Sequence, residues 1–101
     1  MKWAGKDFHS VDNVDPIMIY NDSGNRVWKE DAGHARIREV KFRGKVSAAM
    51  IYDKMPIIDS FRRVGEDMVA GAMDTKLMDS EKVGVFVFWL VRIKEGDKSS
   101  L

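Results

Sequence analysis

KVSAAMIYDKMPIIDSFRRVGEDMVAGAMD, residues 45–74, decides the fold. Three apolar runs, Val46–Tyr52, Ile57–Val64 and Met68–Met73, are separated by two turn signals. The first is Asp53-Lys54-Met55-Pro56, where Pro56 cannot continue a central strand. The second is Gly65-Glu66-Asp67, a short hairpin loop. The stretch therefore reads as a three-stranded antiparallel meander. Turn length fixes the pairing, setting Met50 opposite Asp59, Ala48 opposite Phe61, Phe61 opposite Gly71 and Asp59 opposite Met73. N-terminal to it, Ala35–Arg43 is a further strand. A turn at Gly44 would set Phe42 opposite Val46, Val40 opposite Ala48 and Arg38 opposite Met50. One face then gathers Val40, Phe42, Val46, Ala48, Met50, Tyr52, Ile57, Phe61, Val69 and Met73, and is expected to be the core.

The rest of the chain continues the pattern. Ile17–Tyr20 and Arg26–Trp28 flank the dense turn signal Asn21-Asp22-Ser23-Gly24-Asn25 and suggest a hairpin. His9–Pro16, rich in Asp, Asn and Ser, reads as a loop. Val83–Ile93 is β-branched and aromatic throughout, with Val83, Val85, Val87, Trp89 and Val91 on one side and Phe86, Phe88 and Leu90 on the other. A half-solvated strand would alternate apolar with polar residues, so this one needs cover on both sides, and a homodimer is expected to supply it. No segment has helical periodicity. The fold class is all-β: an antiparallel meander forming a small barrel or half-barrel, with residues 1–94 as one domain and 95–101 as a flexible tail.

Composition narrows the function. A chain of 101 residues with net charge +1 has no global field to steer nucleic acid or an anionic membrane. The six basic residues of His34–Lys45 fall on alternating faces and read as a solvated strand edge, so no nucleic-acid partner is expected. No apolar run is long enough to span a bilayer as a helix, and the N-terminal MKWAGKDFHS lacks a signal-peptide core, which points to a cytoplasmic protein without a membrane partner. With no cysteine, thiol chemistry and Cys-based metal sites are excluded. His9 and His34 have no partner at ligand spacing, and no phosphate-binding glycine pattern occurs, so neither a metal nor a cofactor is expected.

Asp59 is the polar residue that stands out, because a carboxylate on an apolar face is costly unless paired. A pocket there would raise its pKa and suit it to act as a general acid or base, with Arg38 holding it or a ligand's charge and Tyr52 donating a hydrogen bond at the rim. The alternative is a structural Asp–Arg pair, or an Asp bonded to backbone amides. Val40, Phe42, Met50, Phe61 and Met73 would line the ligand site.

The stretches WAGKDF (3–8), REVKFRGKVSAAMIYD (38–53), PIIDSFRRV (56–64) and GAMD (71–74) carry a resemblance. They resemble the C-terminal half, a domain of unknown function, of small bacterial and fungal proteins whose N-terminal half bears a Gly-x-Trp-x-Gly motif. The resemblance implies a lipocalin-like β fold with a cavity for a small organic molecule. Trp3-Ala4-Gly5-Lys6 matches the junction between the halves, so the GXWXG half itself is expected to be absent. The function expected from both lines is binding of a small apolar or amphipathic molecule, with acid–base chemistry of the isomerase, cyclase or lyase type as its enzymatic form. The alternative is a non-catalytic interaction or dimerisation module.

Overall fold

The computed structural model describes residues 2–77 and 86–93; the expected tail at 95–101 and the start of the final apolar run, 83–85, lie outside the described residues. In chain order the strands are β1 (Lys2–Trp3), β2 (Asp7–Ser10), β3 (Asn13–Asp15), β4 (Met18–Tyr20), β5 (Arg26–Trp28), β6 (Ala35–Phe42), β7 (Lys45–Tyr52), β8 (Ile57–Arg63), β9 (Met68–Thr75) and β10 (Phe86–Val91). One turn of 3-10 helix, Glu30–Ala32, links β5 to β6. Every pairing is antiparallel. A large sheet runs in the order β10-β9-β8-β7-β6-β3-β2 and curls into a half-barrel, while β1, β4 and β5 form a separate small sheet.

The meander has the register its turns dictate. Met50 pairs with Asp59, Asp59 with Met73, and Phe61 with Gly71. The inner face carries a core of Val14, Ala35, Met50, Tyr52, Ile57 and Phe61, with Ile37, Met73, Phe88 and Leu90 packed against it. Gly71 is required by this packing. The Phe88 ring lies over it so closely that a Cβ there would sit 2.2 Å from Phe88 Cζ. The ring thereby reaches Phe61 edge-on, with centroids 6.3 Å apart.

Two expectations are corrected. The β6–β7 loop has two residues, not three: Arg43 and Gly44 both have positive φ, 51° and 80°. This is the twist a tight two-residue hairpin demands. Phe42 therefore pairs with Lys45, Val40 with Ser47, Arg38 with Ala49, and Ile37 with Met50. A slip of one residue exchanges the faces of a strand. Arg38, Val40 and Phe42 lie on the outer face, and Ile37 takes the core place assigned to Arg38. The second correction concerns residues 9–16, which contain most of a β2–β3 hairpin rather than a loop. Its polar residues hide the strand pattern. Val14, fully buried, docks the hairpin on Ala35 of β6, and the Ile37 amide donates to Val11 O at 2.6 Å.

The small sheet packs across the inner face. Trp3 of the small sheet meets Phe88 edge-on at 6.1 Å, and Phe8 of β2, in the large sheet itself, meets Phe61 in the same way. Arg26 on β5 fixes the segment between β1 and β2. Its Nε donates to Ala4 O at 2.7 Å, its Nη2 to Lys6 O at 3.2 Å, and its Nη1 pairs with the Asp7 carboxylate. That clamp sets where Lys6 points.

Candidate functional site

Lys6 extends from the clamped segment into the interior and meets Asp59 at the centre of the sheet. Its Nζ lies 3.2 Å from Asp59 Oδ2, and the two side chains are 4% and 1% exposed. The same nitrogen donates to Pro16 O at 2.9 Å and to the Tyr52 hydroxyl at 3.1 Å. Three aromatic rings surround it, Phe88 at 5.2 Å, Tyr52 at 5.4 Å and Trp3 at 6.0 Å from ring centroid to Nζ. Tyr52 in turn donates a long hydrogen bond to Asp59 Oδ2, at 3.5 Å. All of this falls on one carboxylate oxygen. Asp59 Oδ1 is buried and has no hydrogen-bond partner among the described residues.

Burial works against both charges. It pushes the Asp59 carboxyl above the usual carboxylate range, against the pull of Lys6 and Tyr52 in the other direction. It pushes the Lys6 ammonium below its ordinary value, and the negative charge of Asp59 only partly restores it. The Tyr52 hydroxyl is raised by burial first and by the adjacent Asp59 charge second, so it stays a proton donor. The two shifts bring the acid and the base closer together in pKa, the kind of perturbation found where side chains exchange protons.

Beside this group opens a cavity of about 920 Å³. Its walls include Lys6, Phe8, Phe61, Met68, Val69 and Leu90, with Arg26 and Arg63 also contributing. Lys6 thus belongs both to the cavity wall and to the buried polar group. Of the residues singled out from sequence, Asp59 and Tyr52 are brought together, Met50 and Met73 flank Asp59 on the neighbouring strands, and Phe61 lines the cavity. Arg38 is not brought to them. It is exposed, bonds to Asp12 Oδ1 at 2.8 Å and reaches no part of this site. Val40 lies on the outer face with it, and Phe42 lies there under the guanidinium groups of Arg43 and Arg62. The residue that sequence reasoning missed is Lys6. Its one local signal is a lysine set between Trp3 and Phe8 after the kink at Gly5, whose φ is 90°.

The histidines also acquire a partner that their spacing conceals. His9 Nε2 and His34 Nδ1 bond the two oxygens of Asp15, at 2.8 and 2.9 Å, and His34 stacks on Trp28. The bond to Asp15 raises the pKa of His9. Asp7, His9 and Asp15 place three possible ligand atoms within 4.8 Å of one another.

A family model described as a domain of unknown function, DUF4334, matches residues 33–92. The chain belongs to the DUF4334 family. A second model, described as GXWXG protein, matches residues 1–24. This overturns the expectation that the GXWXG half is absent. A match spread over that segment does not need the five-residue string intact, and Trp3-Ala4-Gly5-Lys6 lies inside it. The two matches divide the candidate site: Lys6 comes from the GXWXG segment and Asp59 and Tyr52 from the DUF4334 segment. A protein from Thermomonospora curvata with a known crystal structure is similar at 49% sequence identity and a TM-score of 0.85, over 93% of this chain. This DUF4334 chain spans 61% of the length of that protein. No curated protein matches the sequence.

Proposed function

We propose that the half-barrel binds a small apolar or amphipathic organic molecule and performs acid–base chemistry on it through Lys6, Asp59 and Tyr52. The observation that carries this reading is Asp59 Oδ1, a buried acceptor without a partner among the described residues, on a carboxylate paired with Lys6, a residue of the cavity wall. Leaving such an atom unsatisfied costs about 1–3 kcal/mol, more when charged, and a ligand hydroxyl or ammonium would remove the cost. The apolar walls, Phe8, Phe61, Met68, Val69 and Leu90, suit the hydrocarbon part of such a molecule. Met50 and Met73 support Asp59 from either side. The test is displacement of an environment-sensitive apolar dye, together with native mass spectrometry of freshly purified protein for retained ligands. Asp59→Asn, which also breaks the buried pair, should lower stability but still bind dye when folded, and should lose turnover of any identified ligand. Absence of dye binding and of retained ligands from the folded wild type would sink the reading.

A second reading rests on β10. Val87, Trp89 and Val91 on its outer side are 62%, 58% and 52% exposed, and among the described residues β10 is the edge of the large sheet. An apolar edge of this kind invites pairing, and we infer that it is where two copies meet as a homodimer. Light scattering on a size-exclusion column decides it: a mass that stays at one chain over a range of concentrations refutes the dimer.

A further inference from the structure

We propose that the ligand of this site is an aldehyde or ketone and that Lys6 binds it covalently, as a protonated imine. The proposal rests on the reading of the cavity as a small-molecule site and names the class of molecule. Four observations lead to it. Lys6 is a residue of the cavity wall, and its side chain, which ends in a primary amine, is almost wholly removed from water. Its nearest charged neighbour is a carboxylate able to take up its proton, at 3.2 Å. The other oxygen of that carboxylate is buried and free to accept a hydrogen bond from a new hydroxyl. The three rings around Nζ, from Phe88, Tyr52 and Trp3, stabilise a cation, and an imine that keeps its proton is a cation in the same place.

The step balances without any further reagent. Asp59 accepts a proton from the Lys6 ammonium, which frees the nitrogen lone pair. That pair forms a bond to the carbonyl carbon, and the carbonyl π pair moves to oxygen. A proton passes from the nitrogen to this oxygen, giving a hydroxyl for which Asp59 Oδ1 is the waiting acceptor. Asp59 then returns its proton to the hydroxyl, the carbon–oxygen bond breaks, water leaves, and the nitrogen lone pair closes the carbon–nitrogen double bond. The net change is ammonium plus carbonyl to protonated imine plus water, with nothing oxidised or reduced. Desolvation lowers the pKa of the amine and so favours its free form, as for other lysines that form such adducts.

The experiment uses the full chain with hexanal and cinnamaldehyde as probes, at neutral pH, with sodium cyanoborohydride to fix any imine as a secondary amine. Intact mass gives the number of adducts and peptide mapping gives their position. The expected result is one fast adduct on Lys6, with the other lysines labelled only slowly. Lys6→Arg keeps the positive charge, cannot form an imine, and should lose the fast adduct while circular dichroism reports an unchanged fold. Dye displacement is run in parallel on wild-type protein. Dye bound in the cavity with no preferential adduct at Lys6 overturns the imine and leaves the binding site standing. Absence of both dye binding and adduct overturns both. A fast adduct that persists in Lys6→Arg, or that maps to another lysine, also refutes the proposal.

Discussion

Replacing Lys6 by Met tests the buried pair directly. The side chain keeps nearly the same volume, so the change removes the charge and leaves Asp59, 1% exposed, without its counter-ion. Breaking a buried pair by deleting one partner costs about 3–5 kcal/mol. A chain of 101 residues loses roughly 4–5 °C of melting temperature per kcal/mol, so Lys6→Met should melt about 15–20 °C below the wild type at pH 7. The loss also has a definite pH dependence. The folded-state pKa of Asp59 already lies above its unfolded value because of burial, and removing Lys6 raises it further. The folded protein then favours the neutral acid. Stability is greatest below the unfolded pKa near 3.9 and falls as pH rises towards the folded value, by up to about 1.4 kcal/mol per pH unit. Lys6→Met should therefore approach the wild type near pH 4 and diverge from it on the way to pH 7. Lys6→Met combined with Asp59→Leu removes the stranded charge and should recover most of the loss. The assay is thermal melting by circular dichroism from pH 4 to 8 for the three proteins. A loss below about 1 kcal/mol that does not change with pH would refute the reasoning. So would a double variant no more stable than the single one.

Gly71→Ala sets a methyl group 2.2 Å from Phe88 Cζ, so the ring must move, and we expect a loss of about 1–3 kcal/mol in urea unfolding. Combined with Phe88→Ala, the two losses should be clearly less than additive, since the clash disappears with the ring. Arg43→Asn should raise stability by about 0.5 kcal/mol, because Asn tolerates the positive φ that Arg43 adopts in the β6–β7 turn; a melting temperature below the wild type would count against the turn assignment. Trp89→Lys, on the exposed side of β10, should lower the mass measured by light scattering to that of one chain and leave the far-ultraviolet spectrum unchanged.

The legible and illegible parts of the molecule divide along physical lines. The β7–β8–β9 meander was readable because short turns fix register and apolar residues fall at every second place. The register of β6 was not, because Arg43 gives no hint that it will accept a left-handed conformation, and one residue of slip exchanged Arg38 for Ile37. The β2–β3 hairpin has the composition of a loop, because its pairing depends on docking against Ala35 and not on its own residues. The burial of Asp59 was visible as a carboxylate among Met50, Phe61 and Met73. Its partner was not visible. Sequence offered Arg38, two strands away, while the folded chain supplies Lys6 from the far end of the sequence, aimed by Arg26. A partner brought in by tertiary docking leaves no periodic trace.

The distance along the chain between Lys6 and its companions has a consequence for how the molecule forms. Lys6 and Tyr52 are 46 residues apart, whereas β6 to β9 follow one another through short turns. Closing a loop of that size costs roughly 3 kcal/mol of chain entropy beyond a constant. The hairpins of the meander can gain their contacts before that cost is met, and the N-terminal segment docks afterwards. Asp59 would then be covered in the last stage of folding, so its carboxylate stays hydrated until Lys6 arrives to meet it. Substitutions at Lys6 should accordingly speed unfolding far more than they slow folding, a division that stopped-flow measurements on Lys6→Met can read.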